Sequence, residues 1–251
     1  MNTGIYQFSF IQNKYKQSSP NKLIKNINII SKKDNIPKPL YNKNIYNENR
    51  WFYICSYGGS GSTFIYNYLS QFGNVEHIHD RYPPDEISYV GSKNTTDNIY
   101  SEWFNKIKIP EDKIKNYKII FIYRNPIDVI FSRFISLTGA NSNHLKHIMC
   151  NNPNLTLEEV ILKNKDLYGI EEFYDNYVFK QNKNYPIYCV KYESFFNNIG
   201  LFNQMMEIPN IQRLYPQKNE RKKKKYYLKQ LNNIYRSLIT KMTKMPFIKI
   251  I

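Results

Sequence analysis

The chain has 251 residues, enough for one sizeable domain with a core of its own. Its 36 Lys+Arg against 20 Asp+Glu leave a formal net charge of +16, which favours anionic partners: nucleotide, phosphate, sulfate, acidic glycan or nucleic acid. Three cysteines, Cys55, Cys150 and Cys189, exclude a disulfide framework, and no run approaches the roughly 18 apolar residues of a membrane span.

Residues 1–48 are polar, rich in Lys, Asn and Ser, and broken by Pro20, Pro37 and Pro39. They read as an N-terminal extension or loosely packed arm, disordered in part; the alternative is a short strand or helix laid on the main domain. The N-terminus lacks the apolar region of a signal peptide, so the chain is expected to be soluble and cytoplasmic. Cys55 and Cys189 sit in apolar runs, as buried small residues in a reducing compartment do. No metal-ligand spacing is present. Asn, Lys, Ile and Tyr are abundant throughout, as AT-rich coding DNA produces, so the charge excess alone does not select a partner.

Residues 49–251 read as one α/β domain. Trp51–Cys55 is a short apolar run, Ser56–Thr63 is a Gly/Ser turn, and Phe64–Phe72 is amphipathic. The pattern predicts a strand, a tight loop and a helix over Thr63–Phe72, ended by Gly73. Such a loop brings bare backbone N–H groups to the positive end of a helix, which makes an anion site. Val75–His79 alternates and predicts a second strand, which Asp80–Pro84 leaves as a loop. Thr96 or Asp97 is expected to cap a helix running through Lys108, with Ile99, Trp103, Phe104 and Ile107 on one face.

Lys118–Tyr123 is a continuous, Ile-rich apolar run, as in a central parallel strand buried on both faces. Arg124 stands at its carboxyl end. Asn125-Pro126 then turns the chain into a helix, with Pro126 in its first turn and Asp128 near its positive end. Thr156-Leu157-Glu158-Glu159 matches a capping box and opens a helix to about Asn164. A further helix is expected over Ile170–Gln181 and a buried strand over Tyr185–Lys191, with Tyr192-Glu193 at its carboxyl end. The basic run Arg221–Lys225 leads into a helical pattern through Leu228, Leu231, Ile234, Leu238 and Met242. Alternating strands and helices predict a three-layer α/β domain, a mostly parallel central sheet flanked by helices. In such sheets ligands bind outside the carboxyl ends of the strands. The Gly/Ser loop, Arg124 and Tyr192-Glu193 all fall there, which joins them into one candidate site.

A nucleoside-triphosphate P-loop requires G-x-x-x-x-G-K-[ST]. Here Ser62 stands in the Lys position of Gly61-Ser62-Thr63, and Ser56 replaces the first Gly. The strand Lys118–Tyr123 ends in Arg124 rather than an acidic residue for Mg²⁺, which disfavours an ATP-dependent kinase. The dinucleotide fingerprint is absent as well.

The loop Ser56-Tyr57-Gly58-Gly59-Ser60-Gly61-Ser62-Thr63 resembles the 5′-phosphosulfate loop of sulfotransferases. Arg124-Asn125-Pro126-Ile127-Asp128-Val129-Ile130-Phe131-Ser132 resembles the 3′-phosphate motif of the same family, and Val190-Lys191-Tyr192-Glu193 its later strand end. The resemblance spans about residues 50–245 in the family's chain order. It implies the P-loop-NTPase-like sulfotransferase fold. It also implies transfer of a sulfuryl group from 3′-phosphoadenosine 5′-phosphosulfate (PAPS) to a hydroxyl or amine acceptor on a glycan, small molecule or protein, without a metal. Gly58, Gly59, Ser60, Gly61, Ser62 and Thr63 would then hold the 5′ end of PAPS, or of its product PAP. Arg124 and Ser132 would hold the 3′-phosphate, Phe64 and Tyr192 would flank the adenine, and Arg221 and Lys222 would close over the 3′ end.

Two physical requirements follow. Two separated anions on one adenosine need two anion sites, one with an Arg fork. In-line transfer needs a base for the acceptor's proton. In the relatives a catalytic group often comes from the segment that matches His77-Ile78-His79-Asp80-Arg81; His79 is the first candidate here, then His77 and Glu86. Gly59 stands where the family usually carries Lys or Arg to stabilise the leaving phosphate. Arg81 and the basic C-terminal segment are the expected replacements. Two alternatives remain open: a weak or inactive sulfotransferase-like nucleotide-binding protein, and a basic nucleic-acid-binding protein. The second is disfavoured because no recognisable nucleic-acid module is present. The acceptor pocket is expected within Tyr82–Thr96 and Gly139–Tyr168.

Overall fold

The computed structural model describes residues 45–83, 88–90, 106–108, 116–135, 141–180, 183, 185–216 and 227–251. The expectations for most of the N-terminal extension, for Glu86, and for Arg221 and Lys222 lie outside these residues.

Strand β1 is Trp51–Ser56, followed by helix α1, Ser62–Leu69, and strand β2, Asn74–Ile78. Short strands β3 (Ser88–Val90) and β4 (Lys106–Lys108) pair antiparallel with each other. Strand β5, Tyr117–Tyr123, leads into helix α2, Pro126–Ile130, and a π-helical turn, Phe131–Ile135. Helices α3 (Asn141–His147), α4 (Leu157–Lys163) and α5 (Ile170–Val178) come next. Strand β6 (Ile187–Lys191) runs into helix α6 (Tyr192–Phe195), then α7 (Ile199–Met205) and a 3₁₀ turn, Gln212–Leu214. Helices α8 (Leu228–Ile234) and α9 (Arg236–Thr243) precede strand β7, Ile248–Ile250.

The five-stranded sheet has the order β2-β1-β5-β6-β7, parallel except for β7. The α/β class with a mostly parallel central sheet is therefore as the sequence predicts. Alternate residues of β1 and β5 explain the layering. Phe52, Ile54, Ile120 and Ile122 face Ile65, Tyr68 and Leu69 of α1 and Phe202 of α7. Tyr53, Cys55, Ile119, Phe121 and Tyr123 face Phe173, Tyr174 and Tyr177 of α5 and Leu238 of α9. A strand buried on both faces needs apolar residues at every position, which is what Phe52–Cys55 and Ile119–Tyr123 supply. Phe121 stacks on Tyr177 at 4.4 Å between ring centroids, a pair worth roughly 0.5–1.5 kcal/mol beyond its buried area.

Local signals act where expected. Thr156 Oγ1 accepts the Glu159 N–H at 3.3 Å, and Glu159 Oε2 accepts the Thr156 N–H at 2.8 Å, closing the capping box of α4. Asn125 caps α2 by accepting the Ile127 N–H at 2.9 Å, with Pro126 in the first turn.

Three expectations change. Lys106–Lys108 is strand β4, not the end of a helix; its pairing with β3 overrides the helical spacing of Ile107. The start of that expected helix lies outside the described residues. Helix α1 ends at Leu69, and Gly73 is not its left-handed cap. A Cβ at Gly73 would lie 2.6 Å from the Arg50 carbonyl oxygen, so close backbone approach explains the glycine. Strand β7, absent from the sequence reading, closes the edge: Ile187 and Ile251 exchange both backbone hydrogen bonds at 3.1 Å.

The order places β1 between β2 and β5. The chain leaves β1 to one side through α1 and later enters β5 on the other side. This is a topological switch point, the place at which open α/β sheets commonly bind their ligands.

Candidate anion site at the switch point

The loop after β1 is held in a conformation that favours glycine. Gly58, Gly59 and Gly61 have φ of 97°, 70° and 88°. Successive residues of this kind turn backbone N–H groups inward. Gly61 is the N-cap of α1 without a side-chain cap, so the first turn keeps donors for an anion. The glycines are also required by contact. A Cβ at Gly58 would lie 2.5 Å from the His144 ring, and one at Gly61 would overlap the Tyr192 ring.

Arg124, at the end of β5, reaches this loop. Its Nη1 lies 3.5 Å from the Gly59 carbonyl oxygen and its guanidinium 5.1 Å from the Tyr192 ring centroid, while Nη2 pairs with Asp128 at 3.5 Å. Its Nε is buried without a hydrogen-bond partner. Ser132 follows in the π-helical turn, and its Cβ would lie 3.4 Å from a Cβ at Gly59. The two segments that resemble one family's motifs are thus in contact. Glu193 ties in the third by accepting the Asn125 N–H at 2.5 Å, which links the end of β6 to the turn after β5. Beside this turn a cleft of about 190 Å³ is lined by residues including Asn125, Asp128, Lys191 and Glu193.

The other loop residues divide by orientation. Ser60 is buried beside Tyr57 and Arg124, and Thr63 is exposed in the first turn of α1. Ser62 is buried and accepts from Ser56 Oγ at 2.9 Å. Phe64 lies 6.3 Å from the Tyr192 ring and 5.2 Å from the Phe196 ring, half-buried at the rim.

All four histidines of the chain bear on this region. His77 and His79 share a face at the end of β2, as their spacing predicts. His77 Nε2 lies 3.4 Å and His79 Nδ1 3.3 Å from Ser56 Oγ. His79 Nδ1 donates to the Ser56 carbonyl at 2.7 Å, which leaves the lone pair on Nε2. His144 packs 5.4 Å from His79, ring to ring. Burial lowers His77 from 6.5 to about 3, helped by His79. Burial lowers His79 to about 4, opposed by the Ser56 hydrogen bond and helped by Arg133 and His147. Burial lowers His144 to about 2, with Arg133, His79 and His147 adding to the effect. His147 is lowered by burial and then by Arg133. The imidazoles are therefore neutral near neutral pH.

Arg81 is engaged away from the loop backbone. Its Nε donates to the Ile148 carbonyl at 2.7 Å, and its Nη1 pairs with Glu172 at 2.8 Å. It ties the segment after β2 to α3 and α5. Sequence reasoning missed Arg133, His144 and His147. The spacing of His144 and His147, one helical turn apart, was the available signal.

Among the described residues no helix is long and apolar enough to cross a membrane, and no group of three or more His, Cys, Asp or Glu could hold a metal. Compared with models of protein families, with curated proteins and with solved structures, the chain matches none.

Proposed function

We propose that this chain is a PAPS-dependent sulfotransferase of the P-loop-like fold, acting on a hydroxyl or amine acceptor. The observation that carries the reading is the contact between the positive-φ glycine loop and Arg124–Ser132 at the switch point. A donor with anions at both ends of one adenosine matches a loop of backbone donors beside an arginine with an unsatisfied, buried Nε. The half-buried aromatic rim of Phe64 and Tyr192 suits the adenine between them.

In this reading the acceptor oxygen or nitrogen attacks sulfur in line with the bond to the 5′-phosphate. That bond breaks and its electron pair stays on the phosphate oxygen. The acceptor's proton passes to His79 Nε2, the lone-pair nitrogen set by the Ser56 carbonyl. His79 is a weak base with its pKa near 4, and a bound anion raises it towards the working range.

Calorimetry with 3′-phosphoadenosine 5′-phosphate at low salt tests the donor site. Binding is expected, with a loss of roughly tenfold or more in Arg124→Ala. Absence of binding to the unaltered protein rejects the reading. Gly59 favours a second reading, a nucleotide-binding protein without turnover. Transfer of labelled sulfate to any member of a broad acceptor panel separates the two.

A further inference from the structure

The proposed reaction builds negative charge on the 5′-phosphate as sulfur departs, and a cation facing that charge lowers the barrier. The loop disfavours one at its centre. Gly59 has φ of 70°, and a Cβ there would lie 3.0 Å from the Val129 carbonyl oxygen and 3.4 Å from the Cβ atoms of Arg133 and Ser132. A side chain there is strained by the positive φ and crowded by α2 and the π-helical turn.

The arginines around the crevice differ in what they are bound to. Arg81 is held by Glu172 and the Ile148 carbonyl. Arg124 is shared between Asp128, the Gly59 carbonyl and the Tyr192 ring. Arg133 has no carboxylate partner among the described residues, and its Nε is buried without a hydrogen bond. Its neighbours are Tyr57 and the neutral imidazoles of His79, His144 and His147. A half-buried guanidinium with no counter-charge is costly unless something anionic completes it. The π-helical turn adds a residue to the helical register and thereby sets which side chains face the loop, a distortion found often at functional sites.

We propose that Arg133 is the cation for the 5′ end of the donor, supplied from the π-helical turn where the backbone at Gly59 disfavours a side chain. This rests on the nucleotide reading above, and the test separates the two. Unaltered protein, Arg133→Met, Arg133→Lys and Arg124→Ala are titrated by calorimetry at low salt. The two probes are adenosine 3′,5′-bisphosphate and adenosine 3′-monophosphate, which differ only at the 5′ end. Arg133→Met is expected to weaken the bisphosphate about 10- to 100-fold and to leave the 3′-monophosphate unchanged. Arg133→Lys keeps the charge but not the fork, and recovers part of the loss. Arg124→Ala weakens both probes. If Arg133→Met binds both probes as the unaltered protein does, or weakens both equally, the role of Arg133 is overturned while the nucleotide site stands. If the unaltered protein binds neither probe, the nucleotide reading fails and this inference fails with it. Thermal unfolding without ligand checks folding, and Arg133→Gln carries the same comparison where Arg133→Met does not fold.

Discussion

Two charged regions of the domain are built on opposite principles. On the face formed by α5 and α9, the charged groups that tie the helices together are answered. Lys241 Nζ lies 2.8 Å from Asp175 and 2.9 Å from Glu171, which also accepts from Ser237 at 2.9 Å. Asp166 accepts the N–H of Gly169 at 3.0 Å, the N–H of Glu171 at 2.9 Å and the Tyr235 hydroxyl at 2.8 Å. In the switch-point crevice the pattern inverts. Arg124 and Arg133 keep buried Nε atoms without partners, and three histidines are driven neutral mainly by desolvation. The first region is complete as a folded structure. The second keeps one arginine, Arg133, without a carboxylate partner among the described residues, beside imidazoles lowered by burial, and perturbed clusters of this kind are candidates for functional sites.

The largest expected effect breaks the crevice through its backbone. Gly61→Ala introduces a Cβ at φ of 88° into the Tyr192 ring. Strain and overlap together cost about 2–4 kcal/mol, read from urea unfolding. A stability equal to that of the unaltered protein would show that the loop relaxes freely.

Acid comes next. The folded His77 and His79 lie near 3 and 4, below the ordinary 6.5, so between these values the unfolded chain binds more protons. Their contribution is full above about pH 6.5 and is lost as the pH falls towards the folded values. One such histidine loses on the order of 2 kcal/mol between about pH 7 and pH 5. Chemical denaturation across this window checks the slope, and adenosine 3′,5′-bisphosphate reduces it by favouring the charged imidazole. A flat profile would remove the contrast between the regions.

A pair of substitutions sharpens the comparison directly. Lys241→Met breaks an answered network at partial exposure and lowers stability by about 1 kcal/mol. Arg133→Met removes an unanswered cation and leaves stability unchanged or raises it by up to about 1 kcal/mol. Thermal melts of the two variants side by side give the sign. The smallest effect belongs to Gly200→Ala in α7, where the added Cβ meets only Asn210 at 3.7 Å. A gain of about half a kcal/mol is expected from the narrower unfolded ensemble.

The parts of the fold legible in the sequence were those set by local pattern. Continuous apolar runs named β1 and β5, the alternation of Val75–His79 placed His77 and His79 on one face, and the Thr156 capping box opened α4. Misreadings fell where partners distant in sequence decide. Ile107 follows a helical spacing yet lies in β4, because a three-residue segment takes the conformation of the strand it pairs with. The close approach of Arg50 to Gly73 and the pairing of β7 with β6 are equally invisible to local pattern.

The sequence by itself determined the α/β class, the glycine loop after β1, the arginine ending β5 and the histidines ending β2, since each depends on chain neighbours. Only the tertiary structure decided how they meet. The sheet order set β5 against β1, so that Arg124 reached the Gly59 carbonyl. A salt bridge to Glu172 and a hydrogen bond to the Ile148 carbonyl tied Arg81 to the helices beside it, and the π-helical turn set the Arg133 Cβ beside Gly59. The reason is physical: a cation's role depends on which opposite charges fold around it, and those come from residues far along the chain.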